Sequence, residues 1–148
     1  MFQNSTYLLL LTLLATPLAY ADRCSLVVNS DDAMRFDTQR IVVSKDCETF
    51  TIHLKHTGRL AANIMGHNVV ISKSSDALLI SRQGRGFQNN GFIKPNDERV
   101  IAATDMIGGG EESSLSFAVS VLKADEKYAF FCSFPGHIGL MVGSLVVE

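Results

Sequence analysis

Apolar and polar positions alternate without a break over Phe50-Thr51-Ile52-His53-Leu54-Lys55-His56. In an extended chain Phe50, Ile52, Leu54 and His56 fall on one face, and Thr51, His53 and Lys55 on the other. His56 is therefore expected inside as a core histidine and His53 outside in solvent. Shorter apolar bursts at residues 25–28, 41–43, 69–71, 99–102, 114–119, 128–131 and 144–147 predict further strands. Many short strands with turn signals between them predict an all-β sandwich or barrel. Residues 75–84 break the pattern. Ser75 or Asp76 can cap a helix over Ala77-Leu78-Leu79-Ile80 that ends at Gly84 or Gly86, although Leu79-Ile80 also suits a strand. Residues 88–96, rich in Gly, Asn and Pro, read as loop, and Gly108-Gly109-Gly110 as a turn.

The first residues follow another rule. Tyr7 to Leu14 is almost wholly apolar, and Ala19-Tyr20-Ala21 has the small-x-small form of a signal-peptidase site. The run is shorter than the roughly 20 residues a spanning helix needs. No Lys or Arg precedes it, so an uncleaved N-terminal anchor is the alternative. The expectation is a secretory signal at residues 1–21, a single domain at 22–148, and no membrane span in the mature chain. A formal net charge of −2 with no basic run argues against nucleic acid as a partner.

Export changes the meaning of three cysteines. In an oxidising compartment two of them pair. Cys24 and Cys47, both early in the mature chain, are the obvious pair, and Cys132 is left over. A free exported thiol is a liability unless a metal occupies it. Cys132 lies in Phe131-Cys132-Ser133-Phe134-Pro135-Gly136-His137-Ile138-Gly139-Leu140-Met141, a C-x4-H-x3-M pattern at the end of a strand. Pro135-Gly136 permits a tight bend that returns His137 and Met141 toward Cys132. Gly66-His67-Asn68, just before another strand, offers a second imidazole, and Gly66 allows close backbone approach. Two imidazoles, a thiolate and a weak thioether make a blue-copper donor set. Structural zinc sites take more thiolates and do not ordinarily use methionine. Met34 and Met65 are read as packing residues or as part of a contact surface.

At these residues the chain resembles the azurins, bacterial blue-copper proteins of the cupredoxin family. The segments "CSLVVNSDDAMRFD", "NIMGHNVV", "KPNDERVIA" and "MIGGGEESSLSFAVSVLKADEKYAFFCSFPGHIGLMVGSLVV" look like azurin segments in azurin order. The resemblance implies an eight-stranded Greek-key β-sandwich with a helical flap. It implies one type 1 copper ion on His67, Cys132 and His137, with Met141 weakly axial and the Gly66 carbonyl opposite. It also implies the Cys24–Cys47 disulfide at the far end, Asn68 tying the two ligand segments together, and Phe134 packing beside the site. Three positions depart from the family pattern: Val69 stands where a core tryptophan is common, Ala103 where a surface histidine is familiar, and Thr57 where proline often follows the histidine.

The function so implied is a periplasmic electron carrier cycling between Cu(I) and Cu(II), not an enzyme. A copper storage or delivery protein is the alternative, and a copper reductase a third reading. An apolar patch of Met34, Leu60, Met65, Pro135 and Ile138 is expected to meet redox partners such as c-type cytochromes and periplasmic reductases.

Overall fold

A computed structural model describes residues 23–148, so the expected leader at 1–21 lies outside the described residues. The alternating segment forms β4 (Thr49–His56), with Phe50, Ile52, Leu54 and His56 buried as the pattern requires. It sits inside a four-stranded sheet, between β1 (Ser25–Asp31) and β7 (Glu112–Ala118), with β2 (Arg35–Phe36) outside β1. The second sheet runs β3 (Arg40–Val43), β9 (Val142–Val147), β8 (Tyr128–Phe131), β5 (Val70–Lys73) and β6 (Val100–Ala103). The β1–β4 and β3–β9 pairs are parallel and the others antiparallel.

β2 and β3 are two arms of one segment that changes sheets. The Asp37 amide still donates to Asn29 on the first sheet, while Gln39 already accepts from Ser144 on the second, both at 2.9 Å. Counted as one strand, they give the eight-stranded Greek-key sandwich that the resemblance implies. Between the sheets pack Val28, Phe50, Ile52, Leu54, Ile71, Phe130 and Leu145.

β8 is buried on both sides, which is why Tyr128-Ala129-Phe130-Phe131 shows no alternation. Phe130 joins the inner core, while Phe131 and Ala129 face outward under α2 (Ala77–Gly84). That helix buries Ala77, Ile80, Ser81 and Gly84, one face at helical spacing, so the helical reading of 75–84 holds. Asp76 precedes the helix but makes no side-chain cap. A second helix, α1 (Ala62–Met65), lies outside the predicted elements; it buries none of its residues and so leaves no periodic signal.

Cys24 and Cys47 form the disulfide, their Cα atoms 5.6 Å apart. It ties the start of β1 to the chain entering β4. The other end of β1, at Asp31, reaches the opposite pole, about 20 Å away at the usual strand rise. Asp31 is the end that meets the candidate site.

Candidate metal centre

β8 delivers Cys132 directly, since it is the first residue after Phe131. The chain then turns, with Gly136 at φ +89°, places His137 in a 3-10 turn and re-enters the sheet as β9 after Met141. Backbone hydrogen bonds lock this loop. The Cys132 amide donates to the Met141 carbonyl at 3.0 Å, and the Met141 and His137 amides donate to His137 and Phe134 carbonyls at 2.8 and 3.0 Å. Met141 is fully buried beside Cys132. From the other side, His67 is fixed by a two-way bridge to Ile107, with N–H···O distances of 3.0 and 2.9 Å.

The donors converge. Cys132 Sγ lies 3.9 Å from His67 Nδ1, 3.7 Å from His137 Nδ1 and 3.9 Å from the Gly66 carbonyl oxygen. An ion in the plane of two nitrogens at about 2.0 Å and a sulfur at about 2.3 Å separates nitrogen from sulfur by about 3.7 Å. The spacing therefore suits one small ion without rearrangement. Gly66 earns its place by crowding rather than by backbone angle: a Cβ there would lie 2.2 Å from the Ala62 carbonyl oxygen and 2.9 Å from Met106 Sδ.

Hydrogen bonding sets the ring states. His67 Nε2 is 2.9 Å from the Asp31 carbonyl, which can only accept, so Nε2 carries the proton and Nδ1 faces the sulfur bare. Burial holds the His67 pKa below the usual histidine value despite that bond. Burial, aided by the His67 charge, lowers His137 to about 4. The Cys132 thiol is pushed up to about 11 by burial, while the amides of Asn68 and Phe134 pull against that rise. Asp31 could not have been found by pattern, because its backbone oxygen does the work and any residue supplies one.

The surroundings are fully paired. Asn68 Oδ1 accepts the Ser133 amide at 2.9 Å, which joins the His67 and Cys132 segments. Phe134 lies against the His137 ring, centroids 4.5 Å apart. His56 is the buried core histidine expected from β4. Its Nδ1 accepts the Gly58 amide at 3.0 Å, its Nε2 donates to the Met65 carbonyl at 2.9 Å, and its ring stacks on His67 at 4.6 Å. His53 faces outward and bonds Ser114 at 2.8 Å.

The five expected patch residues are placed unevenly. Leu60 is exposed, Met65 and Pro135 are half-buried, Met34 packs on the main core, and Ile138 packs on the cluster under α2. Leu140 at 67 % and Ile64 at 59 % exposure are the most open large apolar side chains among the described residues. Neither carries a sequence signal for exposure, though Leu140 stands inside the ligand loop itself. Two of the three departures have a visible structural setting. Val69 is fully buried, and the Thr57 amide donates to Ser30 at 2.8 Å, a bond proline cannot make.

Residues 22–148 match the family of copper binding proteins described as the plastocyanin/azurin family. The chain is 52 % identical over 123 residues to azurin of Alcaligenes faecalis, covering 82 % of this chain and 96 % of that one. It is 45 % identical over 140 residues to azurin of Pseudomonas aeruginosa, covering 94 % of each. Among solved structures it is similar to the azurin Az-iso2 of the methylotroph Methylomonas sp. strain J, with a TM-score of 0.82 and 43 % identity over 84 % of this chain and 98 % of that one. Blue-copper proteins of this kind are electron carriers, and the donor cluster of His67, Cys132 and His137 fits one type 1 copper ion. The chain thus belongs to the plastocyanin/azurin family of copper-binding proteins.

Proposed function

We propose that this protein carries single electrons in the periplasm, with His67, Cys132 and His137 as the residues that would hold copper and Met141 and the Gly66 carbonyl as further, weaker donors. The observation that supports this most is the convergence of three donors, two imidazole nitrogens lying 3.7 and 3.9 Å from the Cys132 sulfur, inside a hydrogen-bonded frame. Bound copper supplies a one-electron couple that soft sulfur donors make accessible. The chain's own contribution is rigidity. Asp31 fixes the His67 ring, Asn68 fixes the Cys132 segment, and the buried pocket keeps water from the donors. An ion held by four side-chain donors and a carbonyl would have no position for a substrate, whereas a catalytic metal needs one.

His137 retains slight exposure, so its ring edge is the route outward. Leu140, in the same loop, is exposed, as are Leu60 and Ile64, and such apolar side chains suit brief encounters with c-type cytochromes and periplasmic reductases, whose interfaces are small. Three features support the periplasm: the signal-like pattern at 1–21, the Cys24–Cys47 disulfide, and relatives from Gram-negative bacteria. Residues 22–148 then form one cupredoxin domain. Visible spectroscopy with voltammetry tests the reading. The copper-loaded protein is expected to show an intense thiolate-to-copper band and a reversible one-electron wave. A colourless protein that releases copper readily and gives no wave marks a storage or delivery role instead.

A further inference from the structure

The loop between α2 and β6 turns inward at Asn90-Gly91-Phe92 and touches the ligand loop twice. The first contact is polar. Asn68 Nδ2 donates to Ser133 Oγ at 2.8 Å. The Ser133 hydroxyl has a single proton, and the Gly91 carbonyl lies 2.5 Å from Oγ, nearer than Asn68 Oδ1 at 3.0 Å, which already accepts the Ser133 amide. That proton therefore goes to Gly91, toward which Asn68 Nδ2 also points at 3.3 Å. The second contact is aromatic. Phe92 meets Phe134 edge-on with centroids 5.1 Å apart, and Phe134 in turn covers His137.

The backbone of this turn is unusual. Gly91 and Phe92 both adopt left-handed angles, φ +61° and +57°. Glycine does so freely, but a bulky residue does so rarely and under strain. Strain of this kind persists where surrounding contacts over-determine it, and it gathers at functional sites. Gly91 also borders an open pocket of about 640 Å³ shared with Thr104 and Met106.

We propose that the Gly91-Phe92 turn is a clamp on the metal centre: Gly91 through Ser133, and Phe92 through Phe134, act as positioning residues for Cys132 and His137. The proposal rests on the ligand assignment above and adds the flap as a determinant of how firmly the site holds its metal. Phe92→Gly tests it directly, because glycine suits the left-handed backbone and leaves the Gly91 carbonyl in place while removing the ring. Phe92→Tyr keeps the ring and serves as the rescue. The measurement is the decay of the thiolate band when copper-loaded protein is challenged with EDTA, together with the position and width of that band and the denaturant midpoint of the metal-free form. Phe92→Gly is expected to release copper about three- to ten-fold faster, the size of one aromatic pair contact, with a shifted or broadened band. Phe92→Tyr is expected to behave as the wild type. Wild-type release and an unaltered band in Phe92→Gly overturn the clamp while the ligand assignment stands, whatever the denaturant midpoint does. A wild-type protein that takes up copper without any thiolate band overturns both.

Discussion

At neutral pH the Cys132 thiol, raised to about 11 by burial, carries its proton. His137, lowered to about 4 by burial and by the charge of His67, carries none, and His67 is lowered as well. Loading the site therefore displaces one proton, from the sulfur alone. Calorimetry of copper uptake in buffers of differing ionisation heat is expected to show one proton released per ion between about pH 6 and pH 8. Release of none means the thiol is not a ligand. The same residues show how far chemistry is legible in a sequence. Cys132, His137 and Met141 are readable because one short loop carries all three, and His67 because a glycine and an asparagine flank it. The Asp31 and Gly91 carbonyls are invisible there, since a backbone oxygen carries no residue signature.

Among the elements, β4 was legible because one face is buried and one is not, and β8 only as an apolar run because both faces are buried. α1 and the change of sheet between β2 and β3 follow from tertiary contacts that no short window contains. The disulfide closes a loop of sequence separation 23 at the pole away from the donors. Replacing Cys24 and Cys47 with alanine is expected to lower stability by about 3 kcal/mol in denaturant unfolding, with the copper spectrum unchanged. A changed spectrum contradicts the separation of the two poles. The ligand loop also presents Leu140 to solvent. Leu140→Glu is expected to slow electron self-exchange several-fold without altering the visible band, because like charges then meet at the contact. Unchanged exchange removes Leu140 from the partner surface.

The whole molecule joins a sandwich to a site whose donors are kept neutral before metal arrives. Both ligand histidines have folded-state pKa values below the unfolded value of about 6.5. Below that pH the unfolded chain binds more protons, so the metal-free protein is expected to lose stability as pH falls from about 6.5 toward about 4. Denaturant midpoints measured across that window test this, and a flat profile contradicts it. The central claim is that a single ion sits between Cys132, His67 and His137. Electron paramagnetic resonance of the oxidised copper-loaded protein beside a Cys132→Ser variant tests it most directly. The account predicts a narrow copper hyperfine splitting in the wild type and its replacement by a wide one, or loss of copper, in the variant. The same narrow splitting in both proteins contradicts it.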